Sequence, residues 1–383
     1  MALGAPTFLI YGFGVFIDPL AGAFDTGRGA VSLALTLGLI GYMLVGPFVG
    51  ALADRYGPRR LILWGVIAEV AILAVHGSMQ TVLHFYLAAF FLVVLGSGTG
   101  PVTYARIISS WFDRKRGFAL GITLTGIGIG GAVLPVLGQF LISEFGWRNA
   151  YRSLAAIVLA VSFLPLFLFV RDRPGDAVDG ASPSEPSSTE PGVTLKEAVA
   201  TPTFWLIGIG FMLFAAGNTG GLVHMPPILT DSGLSPERAA AFTGLLGLGV
   251  IVGRISAGYL LDIFHAPYVA IAFLAGPLCA YGYFLGDLPA EWAFVPVVLF
   301  GIGMGAEFDV IPFLVTRYFG LRNFGAVYGV LIAGFSIGSA FGPAMMGFGF
   351  DRFGSYGPSM MAAIVLLVLG SLLVSRLGRY RYA

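Results

Sequence analysis

Charge is what this chain of 383 residues has least of: Asp, Glu, Lys and Arg make up 11% of it, against 57% hydrophobic residues and a mean hydropathy of +0.88. A soluble domain carries about 25% charged residues, so too little polar surface is present to cover a globule in water. The chain is expected to lie in lipid. Cysteine is nearly absent as well: a single Cys279 inside an apolar run excludes an intrachain disulfide and suggests no redox or metal centre. No metal-ligand spacing, nucleophile constellation or phosphate-cradling loop is found. The glycine-rich runs 96–100 and 126–131 lie within apolar stretches, without the strand or lysine of a nucleotide loop, and read as helix-packing surfaces. No enzyme activity, no cofactor and no metal are therefore expected, and a net charge of +1 gives no reason to expect nucleic acid.

What the chain does have is long apolar runs. Against a span of about 20 residues, it divides into twelve: 3–24, 31–53, 60–78, 81–105, 117–143, 150–170, 203–229, 238–263, 267–286, 291–316, 323–350 and 356–375. The first has no basic lead-in and is too long for a signal peptide, so it reads as a spanning helix. Fifteen of the 21 Lys and Arg fall on one side of these spans and five (Arg28, Arg148, Arg152, Arg238 and Arg352) on the other, with Arg254 left inside a span. The positive-inside rule then places both termini in the cytoplasm of a multi-pass protein of the inner (plasma) membrane. Only 171–201 has linker composition, dense in Pro, Ser, Asp and Glu, with a short surface helix expected at 194–200.

The two ends of the chain repeat each other. An offset of 208 residues pairs Gly41 with Gly249, Asp54 with Asp262, Gly130 with Gly338, Pro135 with Pro343 and Gly146 with Gly354. Glycine and proline mark backbone geometry, so matches at one spacing point to duplication. The expected architecture is an all-α membrane protein of twelve transmembrane helices: an N-terminal six-helix half (1–170), a cytoplasmic linker (171–202) and a C-terminal six-helix half (203–383).

Residues 50–60 read GALADRYGPRR between two apolar runs. This loop resembles the signature between the second and third helices of the major facilitator superfamily. The resemblance covers the whole chain and implies the major facilitator fold, with Asp54, Arg55, Arg59, Arg60 and the repeat partner Asp262 as a cytoplasmic gate. The plainer reading of Arg59 and Arg60 is that they only obey the positive-inside rule. Within the superfamily, WFDRKRG (111–117), Arg254-x-x-x-Gly258, 224–235 and GAEFDVIPFLVTRYFG (305–320) are similar to the monocarboxylate carriers and the oxalate:formate antiporter group. Ala2 already lies in the first span, so the polar lead-in usual in this family does not precede it and the chain reads as starting late.

Arg254 is the sharpest candidate for substrate binding, because a guanidinium in a span needs a cavity or partner and its planar fork suits a carboxylate. The resemblance implies the same role, and the alternative is a structural ion pair with Glu307 or Asp309. Glu307 and Asp309 lie in the tenth span about 200° apart around the helix, so they cannot share a face; at least one is expected to serve proton coupling. Asn218, in a Gly217–Gly221 stretch expected to break the seventh helix, with His224, Tyr11 and Tyr104, completes the substrate-binding candidates, each with a packing role as the alternative. Asp18 and Glu69 lie in spans without an assigned part. The sequence departs from the carboxylate carriers in placing Tyr11 where they use a coupling lysine and Val250 where they have an aspartate. The eleventh-helix lysine of the oxalate antiporter is absent from 329–346, and one cavity cation favours a monocarboxylate over a dicarboxylate.

The expected function is secondary active transport of a small organic anion, most simply a monocarboxylate, by symport with protons or by exchange. The partners expected are that anion, protons and membrane lipid, with the carrier a monomer. The rival readings are a drug/proton antiporter or sugar carrier on the same fold and a non-transporting sensor or receptor.

Overall fold

The computed structural model describes residues 1–101, 103–104, 107–108, 116–171, 192–286, 288–320 and 322–382. The side chains of Asp54 and Asp309, the 111–115 part of the WFDRKRG motif and most of the linker lie outside the described residues. Most of the remainder is helical, and the helices follow the apolar runs because a backbone in lipid must satisfy its own polar groups.

α1 (Ala5–Ala23) changes winding along its length, with a π turn at Phe8–Gly12 and a 3-10 turn at Phe13–Phe16. α2 (Arg28–Tyr56) stops at Gly57, whose φ of 86° lets the chain reverse directly into Pro58, the first residue of α3 (Pro58–His76). α4 (Val82–Gly96) is capped by the Thr81 hydroxyl on the His84 amide. Residues 116–158 form α5 and the start of α6, separated by Gly146 at φ 73°, and α6 runs on to residue 169. α7 (Pro202–Asp231), α8 (Pro236–Ile263), α9 (Ala266–Leu285), α10 (Phe294–Phe319), α11 (Phe324–Phe353) and α12 (Gly357–Val374) follow. Among the described residues ten helical stretches have the length and apolarity to cross a membrane, one of them the 45-residue Thr125–Phe169 that holds two spans. Pro58–His76 is long enough too but carries Arg59, Arg60 and Glu69. The result is twelve spanning helices in two like halves.

The duplication is visible in geometry. Gly354 ends α11 at φ 69°, matching Gly146 at φ 73° in the other half, a backbone region that costs a side-chain-bearing residue energy. Pro135 and Pro343 are both carried inside helices. Gly130 meets the Ala2 carbonyl, and its repeat partner Gly338 meets the Met212 carbonyl, so close that neither could bear a Cβ. The Gly217–Gly221 stretch does not break its helix: α7 is continuous from Pro202 to Asp231. Its glycines are spent on packing instead, Gly220 against the Gly342 carbonyl, 2.6 Å from where a Cβ would lie, and Gly217 against Leu367.

By contact the chain forms two compact units. The first comprises Met1–Ala181 with Val223–Gly244, the second Ser182–Leu222 with Leu245–Ala383. The last nine residues of α7 and the first turns of α8 thus pack with α1–α6; Gly244 would place a Cβ 2.7 Å from the Ala132 carbonyl of α5. In the second unit the linker re-enters at Gly192, bridged to Gly320. A short helix, Leu195–Val199, follows, closed by a capping box in which Thr194 and Glu197 exchange hydrogen bonds.

Candidate functional site

The second unit gathers polar groups where three helices meet. α8 and α10 approach through a double row of glycines, Gly249 and Gly253 on one helix, Gly301 and Gly305 on the other. A Cβ on Gly249 would lie 2.5 Å from the Val298 carbonyl, one on Gly305 would lie 2.8 Å from the Arg254 amide, and Gly253 and Gly301 meet the Ile302 and Leu246 carbonyls. Small residues at this spacing let backbones touch and fix the rotation of each helix. The contact sets the backbone of Arg254, half-buried on α8, against Gly305 of α10, and Glu307, two residues on and about 200° around the helix, faces α7 instead.

Glu307 is buried, 5% exposed, and its Oε2 accepts a hydrogen bond of 3.1 Å from Nδ2 of the fully buried Asn218 on α7. The second oxygen of Glu307 and the Asn218 Oδ1 are sealed from solvent without a hydrogen-bond partner. At Gly217, the residue before Asn218 on α7, the Tyr281 hydroxyl of α9 donates to the backbone carbonyl, and the Tyr281 ring stands edge-on to Phe300 at 5.6 Å. A carboxyl, a carboxamide and a phenol from three helices are therefore held in place by apolar packing. A carboxyl oxygen left with spare bonding capacity there can take up a proton or accept a bond from a ligand.

The remaining candidates fall elsewhere. His224 is fully buried in the first unit, its Nε2 3.0 Å from the Ser32 Oγ of α2. Tyr11, in the π turn of α1, and Tyr104 are half-buried in the first unit. Arg55 is exposed over the Tyr56 ring at 5.4 Å, and Arg60 is exposed. Arg59 donates to the Phe167 carbonyl at 2.9 Å, which gives it a structural task at the end of α6. Asp262, at the end of α8, is exposed.

Sequence reasoning missed a clamp in the first unit. Arg28, at the start of α2, donates through Nε to Asp18 at 2.7 Å and grips both oxygens of Asp231 at 2.5 and 3.0 Å. Asp231 ends α7, 203 residues away, and one turn inward from Arg28 the Ser32–His224 bond repeats the tie. No local signal marks such a partnership. Each residue taken singly reads as a charge near a helix end. Tyr281 was missed for a similar reason, since a tyrosine in an apolar run carries no sign of which backbone it will bond.

Among curated proteins, the chain is 26% identical over 374 residues to monocarboxylate transporter 13 of Bos taurus, covering 94% of this chain and 83% of that one. It is also 26% identical over 384 residues to monocarboxylate transporter 11 of Homo sapiens, covering 97% and 79% respectively. Among solved structures it shares the fold of a D-xylose-proton symporter, with a TM-score of 0.75 and 16% identity over 98% of this chain and 96% of that one. The family model for the Major Facilitator Superfamily matches residues 7–343, and with the duplicated twelve-helix fold on the page, the chain belongs to that superfamily.

Proposed function

We propose that the chain is a secondary active transporter that moves a small organic anion, most simply a monocarboxylate, by alternating access, coupled to protons or by exchange. The observation that carries this reading is that one unit holds both a half-buried arginine, Arg254, on α8 and the buried Asn218–Glu307 pair of α7 and α10. Arg254 offers a planar fork of donors for the substrate carboxylate, and Glu307, or Asp309 two residues on, carries the coupled proton. Asn218 fixes the Glu307 carboxyl; Tyr11, Tyr104 and His224 serve the same pathway by hydrogen bonding. Asp54, Arg55, Arg59, Arg60 and Asp262 latch the side on which both termini lie, taken as the cytoplasmic side of the plasma membrane from the distribution of Lys and Arg. The two halves, joined by 171–202, act as the moving bodies of a monomeric carrier in lipid. The names of the curated relatives favour the carboxylate over its rivals.

The test is uptake of labelled lactate, pyruvate, formate and oxalate into proteoliposomes, with and without an inward proton gradient. Uptake of one acid that the gradient drives and that Arg254→Gln and Arg254→Lys abolish, with the variants still folded, is expected; Glu307→Gln or Asp309→Asn is expected to keep exchange and lose pH dependence. Uptake indifferent to Arg254 would leave that residue structural and move the reading to a sugar or drug carrier, as the fold shared with a D-xylose-proton symporter allows. Tight binding without flux would make the chain a sensor.

A further inference from the structure

An apolar groove of about 470 Å³ runs between α3 and α4 of the first unit, within the range that takes a small ligand. One wall is a single face of α4, with His84, Leu87, Phe91 and Leu95 at helical spacing; Ile72 and Val75 of α3 stand on the other. Val75, Leu87, Phe91 and Leu95 are each about half exposed. Ser78 and Met79, in the turn that joins the two helices, mark one end. From His84 to Leu95 the wall rises about 16 Å at 1.5 Å per residue, close to half of a hydrocarbon core of about 30 Å. The groove thus has the depth of one leaflet, apolar along its length and polar at the turn.

Two guanidiniums from the start of α6 stand at the polar end. Arg148 donates through Nη2 to the Met79 carbonyl at 3.1 Å, and Arg152 through Nη2 to the Gly77 carbonyl at 3.2 Å and the Ser78 hydroxyl at 3.4 Å. Ser78 and Met79 therefore both line the groove and hold the arginines. Gly77 lets α6 come this close, since a Cβ there would lie 2.5 Å from the Arg148 carbonyl and 2.9 Å from the Arg152 Nε. Arg148 also lies over the Trp147 ring at 4.1 Å, and Arg152 Nη1 donates to Asn149. Both arginines are exposed, and among the described residues neither forms an ion pair, the exposed Glu144 included. A guanidinium carries more N–H donors than these contacts use, and its planar fork suits a phosphate.

We propose that this groove binds a membrane phospholipid of net negative charge, one acyl chain lying along α4 and the phosphate held by Arg148 and Arg152. Charge complementarity selects the headgroup. A choline headgroup brings its own cation against two guanidiniums, whereas a glycerol headgroup leaves the phosphate charge to them. The site lies in the first unit, apart from the Asn218–Glu307 pair, and does not depend on which solute is moved.

Its test uses no transported solute, so its failure and that of the carboxylate reading are distinguishable. Phe91→Trp places a fluorophore in the groove of the full chain, which is reconstituted in phosphatidylcholine vesicles. A minor fraction of the lipid is phosphatidylglycerol or phosphatidylcholine brominated on its acyl chains. The quenching that Phe91→Trp adds to that of the native tryptophans reports occupancy. Brominated phosphatidylglycerol is expected to reach a given quenching at a mole fraction roughly tenfold lower than brominated phosphatidylcholine. Arg148→Gln with Arg152→Gln is expected to abolish that difference. Where the glutamine pair does not fold, raised salt must shrink the difference in the arginine protein, because these charges are exposed and open to screening. Equal quenching by the two lipids in the arginine protein would overturn the proposal. So would a preference for phosphatidylglycerol that survives the glutamine pair or, where that pair does not fold, raised salt, because the guanidiniums would then not select the headgroup.

Discussion

At the scale of single residues, the strongest claims concern groups whose partners the structure names. Asn218 gives Glu307 its hydrogen bond at 3.1 Å in a site closed to solvent. Asn218→Leu leaves the carboxyl without its donor and is expected to cost about 1–2 kcal/mol, seen as a lowered thermal unfolding midpoint in detergent. Replacing both partners, in Asn218→Leu with Glu307→Leu, is expected to recover most of that loss, because no orphaned polar group remains. A double variant as unstable as the sum of its parts would mean that the two residues act independently. Arg28 belongs to the same scale: one guanidinium holds two aspartates drawn from opposite ends of the first unit's sequence, and it is only 14% exposed at its side chain.

At the scale of elements, helix contact is set by glycine. Gly253 and Gly258 lie on the same helix five residues apart, but a Cβ on Gly253 collides with the Ile302 carbonyl whereas nothing lies within 4 Å of one on Gly258. Gly253→Ala is therefore expected to push α8 off α10 and lower the unfolding midpoint, while Gly258→Ala leaves it unchanged or raises it by the equivalent of about 0.5–1 kcal/mol from helix propensity. Equal effects at the two positions would argue against close α8–α10 packing. The linker helix offers a second check. Hydrogen bonds from Thr194, the backbone amide first and the hydroxyl second, hold the exposed Glu197 carboxyl below its ordinary value of 4.5. A depressed carboxyl contributes its stability above that ordinary value and loses it as pH falls through the folded one. Amide exchange over 195–199 is thus expected to speed up in acid, and Thr194→Ala to produce the same fraying at neutral pH.

The twelve helices at the scale of the whole molecule were legible as apolar runs, since lipid leaves a spanning backbone no alternative to the helix. Run ends were less so: the run ending at residue 170 holds a π turn at Leu159–Phe163, and the expected span 267–286 is interrupted at Leu274. Sidedness is an expectation drawn from 15 Lys and Arg against five. In a Cys279→Ser background, Ser78→Cys and Arg376→Cys are expected to react with a membrane-impermeant maleimide from opposite faces, the first from outside intact cells and the second only after permeabilisation. Labelling of both from one face would overturn the assigned topology.

The candidate site was half legible. Arg254, Glu307 and Asn218 stand out singly as polar residues in apolar runs, which physics makes expensive and hence conspicuous. That Asn218 bonds Glu307 across 89 residues within the second unit, while His224, six residues along the same helix, bonds Ser32 within the first, is not written in either residue's neighbourhood. The sequence by itself determined the solvent of this protein, its number of spans and its duplication, because hydropathy and backbone-marking glycines act locally and repeat at a fixed offset. Only the tertiary structure decided which buried polar groups share a partner and which are left without one, because pairing depends on helix rotation and contact between segments that the chain keeps far apart.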